Sequence, residues 1–103
     1  MIRHVVLVRF GAQADAAERD AVFAELAALR DAVPGVLSFA GGKNVSAEGR
    51  TAGFTHGFTM DFADPAARDA YLEHPVHVRA GERLLRAADG DDGVLVVDLV
   101  FED

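Results

Sequence analysis

The sequence predicts a ferredoxin-like α+β sandwich, in which helices cover one face of an antiparallel sheet. The apolar periodicities follow the order β-α-β and then β-α-β, a loose internal duplication. The 103 residues leave room for one domain, 1–103, and half of them are apolar, which is enough for a folded core. In this topology we expect the first and third strands to lie side by side in the centre of the sheet and to run parallel.

The first quarter of the chain predicts a strand and a helix. Residues 2–10 alternate with apolar side chains on both faces, which is typical of a central strand. Asp15 is a good N-cap, and Glu18 completes a capping-box pattern. Apolar residues then recur at helical spacing until Pro34 ends the helix.

The middle of the chain predicts two strands joined by a polar loop. Residues 36–46 form the first of them, with a weak point and a β-bulge expected at Gly41-Gly42. Residues 47–53 are polar and flexible, and residues 54–62 have the clearest period of two in the chain. The set expected to face the core is Phe54, His56, Phe58, Met60 and Phe62.

The last third predicts an interrupted helix and a final strand. Asp64-Pro65 combines an N-cap with proline at the first helical position, and Pro75 interrupts the helix. A glycine-rich acidic turn then leads into a strand over 94–101, which is apolar on both faces except at Asp98. The second helical segment has an inward stripe of His77, Gly81, Leu84 and Ala88.

The sheet face turned away from the helices, the outer face, is too apolar to remain in water. Exposed together, its side chains would exceed the apolar patch usual for a monomer. We therefore expect two sheets to pack face to face in a homodimer. The residues concerned are Val5, Leu7, Leu95, Val97, Leu99 and Phe101.

Composition excludes several classes of partner. The net charge of −7 arises from 10 basic and 17 acidic residues, which argues against nucleic acid and against anionic membranes. No apolar run approaches the roughly 20 residues that span a bilayer. The chain has no cysteine and starts directly with a strand-like run, so we expect no secretory leader and a cytoplasmic location.

Four histidines and one tyrosine are the candidate functional residues. His4 and His56 lie near the start of their strands, on the faces that bear large apolar residues, so we expect them to be neighbours beneath the helices. Tyr71 and His77 belong to the helical layer above, and His77 points inward. Because histidine exchanges protons near neutral pH, their convergence predicts a site between sheet and helices.

Structural interpretations of the same residues remain open. His4 and His56 are also explained as hydrogen-bonded core histidines, Tyr71 as a core aromatic, and His74 as a helix cap. A metal site is disfavoured, since Pro75 separates His74 from His77 and no standard helical metal motif is present. The stretch GGKN lacks the spacing of a phosphate loop, so we expect no cofactor.

Five segments together resemble the stress-responsive A/B barrel (Dabb) family, over the whole length of the chain. The most specific is the HP-x-H element that follows an aromatic residue on the preceding helix. The resemblance implies a dimeric α+β barrel, in agreement with the fold predicted above. The segments are IRHVVLVRF, PGVLSFAGGKNVS, GFTHGFTMDF, DAYLEHPVH and VLVVDLVFED.

The resemblance also implies a chemistry. Plant polyketide cyclases of this family close a linear polyketide by intramolecular aldol condensation, and their motifs are similar to Y-x-x-H-P-x-H and G-[YF]-T-H here. By position, His77 corresponds to their general base and Tyr71 to the residue that assists it. The remaining histidines, His4, His56 and His74, are then expected to bind the substrate.

Two functions of different classes therefore follow from the sequence. One is a cofactor-independent cyclase or lyase acting on a small, carbonyl-rich, apolar molecule, with His77 as base. The other is a non-enzymatic, heat-stable stress-response or small-ligand-binding protein. A polar pocket that reaches His77 and Tyr71 favours the first, and a filled core favours the second. A related barrel fold serves haem-degrading and quinone-forming monooxygenases, but the absence of tryptophan argues against that function.

Overall fold

The computed structural model describes residues 1–102 and confirms the ferredoxin-like α+β fold. The predicted interruption at Pro75 is confirmed, because a new helix begins at Pro75 immediately after His74. No helix within this range is long and apolar enough to cross a membrane. In chain order the elements are β1 (Ile2–Val8), α1 (Ala16–Ala32), β2 (Val36–Lys43), β3 (His56–Phe62), α2 (Pro65–Glu73), α3 (Pro75–Ala87) and β4 (Val94–Val100).

The sheet has the strand order β2-β3-β1-β4, and every neighbouring pair is antiparallel. The prediction that β1 and β3 are adjacent and central is confirmed, but the prediction that they run parallel is wrong. The α1 crossover returns the chain so that β2 runs parallel to β1, and the β2–β3 hairpin then reverses it. As a result His4 pairs with Met60, whereas His56 pairs with Val8.

This reversal separates two histidines that the sequence placed together. His4 and Val8 are four positions apart on β1, and strands rise by about 3.3 Å per residue, so His4 and His56 lie on the order of 13 Å apart. Their predicted proximity is therefore wrong. Both face the helices, on what we call the inner face of the sheet, but at opposite ends of it.

The helices begin where the sequence predicted. Asp15 accepts a hydrogen bond from the Glu18 amide at 2.8 Å, and Asp64 accepts one from the Ala67 amide at 2.9 Å. The reciprocal half of the α1 capping box is absent, because the Glu18 carboxylate instead pairs with Arg83 of α3 at 2.7 Å. This ion pair joins the two long helices above the sheet.

The irregularity of β2 lies elsewhere than predicted. Pairing with β3 is regular at Gly41 and Gly42, and the register shifts between Val36 and Ser38. Gly41 has a packing role instead, since a Cβ there would lie 3.0 Å from the Phe23 ring. The glycine thus lets α1 pack closely on the edge strand.

The core fills the space between the inner face and the helices. The outer face is exposed and apolar as predicted, with Leu95 and Val97 at 45% and 41% exposure. Strand β4 also exposes its inner-face residues Val96 and Val100, because no helix packs extensively on it within residues 1–102. The most deeply buried side chains are Tyr71, Phe62, Leu26, Leu29, Met60, Val8 and Val22.

Candidate functional site

Tyr71 and His77 meet where α2 passes into α3. Their ring centroids are 4.3 Å apart and the ring planes are inclined by 47°. Tyr71 is only 1% exposed, whereas His77 is half-buried and borders solvent. The structure thus brings together the two residues for which the sequence predicted catalytic roles.

The turn that positions them depends on His74. This residue ends α2 and caps α3, and its Nδ1 accepts a hydrogen bond from the Val76 amide at 3.1 Å. Pro75, at the first position of α3, has no amide hydrogen that would need a partner there. The structural interpretation of His74 as a cap is therefore confirmed, and one of its ring nitrogens is already engaged.

The hydrogen bonding of His77 selects one tautomer. Its Nδ1 lies 3.1 Å from the Leu72 carbonyl oxygen, which can only accept, so Nδ1 donates. Burial lowers the pKa of His77, the Leu72 carbonyl opposes this, and His4 and His74 lower it further. The ring is consequently neutral near pH 7, and Nε2 has an available lone pair.

Gly81 leaves space beside that lone pair. It lies one turn after His77 on α3, and a Cβ at this position would be 4.0 Å from His77 Nε2. A larger side chain would project into the space beside the nitrogen. Gly81, one of the residues predicted to face inward on α3, thus leaves a gap next to His77.

The Tyr71 ring packs against three other rings, those of Phe62, His4 and His77. Phe62 lies 5.1 Å away between centroids, and His4 lies 5.9 Å away in an edge-to-face arrangement. Burial raises the pKa of Tyr71 well above its usual value. The phenol therefore stays protonated at neutral pH and is a hydrogen-bond donor rather than a base.

Asp98 completes this cluster, and the sequence did not predict a role for it. His4 Nδ1 lies 2.7 Å from Asp98 Oδ1, and Arg68 of α2 donates to Asp98 Oδ2 at 2.9 Å. Burial opposes ionisation of Asp98, but the hydrogen bonds and charges of His4 and Arg68 prevail and lower its pKa. The carboxylate is therefore ionised, and it orients the His4 ring.

His56 belongs to a different part of the molecule. Its ring packs on Phe10 and Phe23, with centroids 5.0 and 5.8 Å away, and its Nδ1 lies 2.8 Å from Thr55 Oγ1. A cavity of about 840 Å³ opens beside it. Among the described residues, the lining of this cavity includes His56 but not His4, Tyr71 or His77. The expectation of one pocket shared by all these residues is wrong.

The cluster of His77, Tyr71, His4 and Asp98, the His77 site, has the components of acid–base chemistry. It combines a neutral imidazole with a free nitrogen, a protonated phenol and an imidazole oriented by a carboxylate. No group of three or more histidine or acidic side chains within residues 1–102 has the geometry of a metal site.

The chain matches the model of a known protein family. The model of the stress-responsive A/B barrel domain (Dabb) matches residues 2–101, almost the whole chain. The chain belongs to the stress-responsive A/B barrel domain family. The resemblance that the sequence motifs indicated is thereby confirmed, and the fold of this Dabb protein agrees with it.

Two curated proteins are similar to the chain over most of its length. The stress-response A/B barrel domain-containing protein HS1 of Arabidopsis thaliana is 30% identical over 97 residues, covering 94% of this chain and 86% of HS1. Olivetolic acid cyclase of Cannabis sativa is 24% identical over 81 residues, covering 79% of this chain and 80% of the cyclase.

A solved structure extends the similarity to three dimensions. A dimeric ferredoxin-like protein of unknown function from Jannaschia sp. CCS1 superposes with a TM-score of 0.88 at 35% identity. The match covers 97% of this chain and 98% of that one. This Dabb protein therefore has a dimeric structural neighbour of nearly the same length.

Proposed function

We propose that this protein is a cofactor-independent acid–base enzyme that acts on a small, carbonyl-rich, mostly apolar molecule, with His77 as the general base. The reaction class is aldol-type ring closure. The observation that carries the proposal is the geometry of His77, whose Nδ1 is held by the Leu72 carbonyl while Nε2 is free beside Gly81. An imidazole fixed in this tautomer is suited to removing a proton from carbon.

Each component of the His77 site has a role in this reaction. His77 Nε2 takes a proton from a carbon flanked by two carbonyl groups, and the C–H electron pair passes into an enolate. Tyr71, kept protonated by burial, donates a hydrogen bond to the enolate oxygen. The enolate carbon then bonds to a second carbonyl carbon of the same molecule, and the new alkoxide takes back the proton.

His4 supports the substrate rather than the proton transfer. Its Nδ1 is bound to Asp98, which fixes the ring edge-to-face against Tyr71. Because Nδ1 of a neutral ring donates to the carboxylate, Nε2 can accept one hydrogen bond from a hydroxyl or enol group of the substrate. We assign no contact with the substrate to His74, which acts through the helix cap, nor to His56, which lies at the other end of the sheet.

Similarity to olivetolic acid cyclase supports the reaction class. The two chains are 24% identical, and the Tyr71, His74 and His77 motif lies in the part of the chain that also builds the His77 site. The cyclisation proposed here needs only proton transfers and binding interactions, all of which the described side chains supply.

We also propose that two copies pack through their outer faces. Val97 and Leu99 are 41% and 45% exposed on this face, along the edge strand β4, and the Jannaschia neighbour is dimeric. Burying such side chains in a partner's sheet removes a large apolar surface from water. The partner would be a second copy of this chain.

One observation favours a second, non-enzymatic function. Tyr71 and His4 are 1% and 4% exposed and pack edge-to-face, as residues of a filled core do. In this alternative the chain is a heat-stable stress-response protein, and the cluster contributes to its stability. Similarity to HS1, which is described by its stress response, is compatible with it.

The two functions are separated by one variant, His77→Asn. Asparagine keeps a donor close to the Nδ1 position and removes Nε2. We expect the wild-type protein to close 3,5,7-trioxo acyl thioesters of graded chain length by joining C2 to C7 in a six-membered ring, with products detected by mass spectrometry. His77→Asn should lower this rate by about 10²- to 10⁴-fold at an unchanged melting temperature. A large loss of thermal stability with no closure by the wild type would instead support the structural function.

A further inference from the structure

The cavity beside His56, the aromatic cleft, is a second concave site at the far end of the sheet. It lies between the first turns of α1, the end of β2 and the start of β3. Phe10, Phe23 and His56 form an aromatic wall, with centroid separations of 5.0 to 6.1 Å. Its volume of about 840 Å³ falls within the range of small-molecule sites.

The depth of the cleft depends on Gly41. A side chain at this position would meet Phe23 at 3.0 Å and Phe39 at 3.2 Å, so glycine allows the two rings to lie against bare backbone. The register places Gly41, Lys43 and His56 on the inner face of the sheet, because Lys43 pairs with His56. An apolar wall and a basic residue therefore point into the same space.

The charges around the aromatic cleft are unusual for this protein. The chain has a net charge of −7, yet Arg19 and Lys43 both line the cleft, and Asp20 is the one acidic residue among its lining residues. Arg19 donates to the Ala14 carbonyl at 2.9 Å. Within residues 1–102, neither Arg19 nor Lys43 lies within ion-pair distance of a carboxylate.

Four of the arginines have acidic partners: Arg3, Arg9, Arg68 and Arg83 pair with carboxylates at 2.7 to 3.2 Å. Within residues 1–102 the remaining arginines, like Arg19, have no carboxylate at ion-pair distance, so the location of Arg19 and Lys43, rather than the missing partner, sets these two cations apart. Two unpaired cations that line the same cleft as three aromatic rings are complementary to an anion with a planar apolar body.

We propose that the aromatic cleft binds a small aromatic carboxylate, whose ring packs on Phe10, Phe23 and His56 and whose carboxylate lies between Arg19 and Lys43. This site is separate from the His77 site, because His56 lies on the order of 13 Å along the sheet from His4 and the cleft lining includes neither Tyr71 nor His77. The inference goes beyond the proposed reaction and does not depend on it. A regulatory or carrier role would follow from such a site.

His56 supplies an independent readout of occupancy. Burial lowers its pKa, Arg19 and Lys43 lower it further, and Asp20 opposes them. A bound carboxylate beside these two cations would offset their repulsion and raise the pKa of His56. The neutral amide of the same ring would leave that pKa unchanged.

The test uses phenylacetate as the probe and phenylacetamide as its neutral counterpart. Titration of the ¹⁵N-labelled wild-type protein should shift the amide signals of Gly41, Gly42 and His56 saturably. Phenylacetamide should bind about tenfold more weakly, because it lacks the charge that Arg19 and Lys43 recognise. The pKa of His56, followed by its ring-proton shift, should rise with phenylacetate only.

Charge variants locate the carboxylate. Arg19→Gln and Lys43→Gln should each weaken phenylacetate binding by about tenfold, and Arg19→Lys should recover part of the loss. Arg30→Gln, which removes an equal charge at the far end of α1, is the control and should bind as the wild type does. A melting curve of each variant checks the fold.

The proposal would be overturned by the absence of a saturable shift with phenylacetate, by equal affinity for acid and amide, or by unchanged binding in both Gln variants. His77→Asn should bind phenylacetate as the wild type does, so failure at the aromatic cleft is distinguishable from failure at the His77 site. Shifts confined to Tyr71 and His77 would place the probe at that site and likewise reject the cleft.

Discussion

The His4 imidazole on β1 and the Asp98 carboxylate on β4 occupy directly paired positions of the sheet, with Nδ1 and Oδ1 2.7 Å apart. Arg68 of α2 binds the other oxygen of the same carboxylate at 2.9 Å. One carboxylate thus joins the otherwise uncovered edge strand to a central strand and to the helical layer. It also fixes the histidine that packs on Tyr71.

Replacement of Asp98 by asparagine should destabilise the protein. Asparagine loses the charge-assisted hydrogen bonds to His4 and Arg68. We therefore expect the free energy of unfolding to fall by about 1–3 kcal/mol at pH 7. Asp69→Asn is the matched control, since Asp69 is exposed and binds only Arg68. Urea unfolding of both variants measures the difference, and equal stability of the two would contradict the role assigned to Asp98.

The Asp98 effect should depend on pH. Because the folded pKa of Asp98 lies below its unfolded value, the folded state binds fewer protons in between. Its contribution is therefore present above about pH 4 and is lost as the pH falls through the folded pKa. Melting curves between pH 3 and 7 should show the wild type and Asp98→Asn converging in acid. A constant difference over this range would reject the linkage.

His77 should titrate below the ordinary histidine value. Its lowered pKa means that protonation favours the unfolded state, so stability should fall as the pH drops below about 6.5. The ring-proton shifts of wild-type His77 give the pKa directly by NMR. In His77→Asn this share of the pH dependence should disappear. A His77 pKa at or above the ordinary value would contradict the neutral base.

Gly81 should control access to His77 Nε2. Gly81→Leu places a branched side chain beside that nitrogen, where a Cβ would already be 4.0 Å away. We expect turnover to fall at least tenfold while the helix gains about 0.5–1 kcal/mol from replacement of glycine. Glu82→Leu, at the next and exposed position of α3, should keep its activity. Steady-state kinetics and melting curves distinguish the two variants.

A charge on the outer face should prevent dimer formation. Val97→Asp introduces a carboxylate opposite Val5, where a partner's sheet would bury it without a counterion. We expect monomers or insoluble protein by analytical ultracentrifugation. Val45→Asp adds the same charge at a side chain that is 88% exposed, outside the sheet, and should remain dimeric. A soluble Val97→Asp dimer would rule out this interface.

Local features were predictable from the sequence because each depends on a few neighbouring residues. The caps at Asp15 and Asp64, and the break at Pro75, follow from side-chain hydrogen bonds and from the missing amide of proline. The apolar outer face follows from a period of two in the strands. These elements have the bounds expected to within a few residues.

Long-range relationships were harder to predict. Assigning β1 and β3 a parallel orientation placed His56 beside His4, and the hairpin reversal places it beside Phe10 instead. The role of Asp98 depends on the register of β4 against β1, which no local pattern determines. A single acidic residue in an otherwise apolar strand was the one available indication, since a carboxylate partly removed from water requires partners.

The most direct test of the account is solvent deuterium exchange at the carbon between two carbonyl groups of a 3,5-dioxo acyl thioester. This exchange reports proton removal alone and needs no ring closure. We expect the wild type to accelerate exchange above the buffer rate. In His77→Asn, folded with an unchanged melting temperature, this acceleration should be at least about 100-fold smaller. Exchange in His77→Asn as fast as in the wild type, or wild-type exchange no faster than in buffer, would contradict His77 as the base.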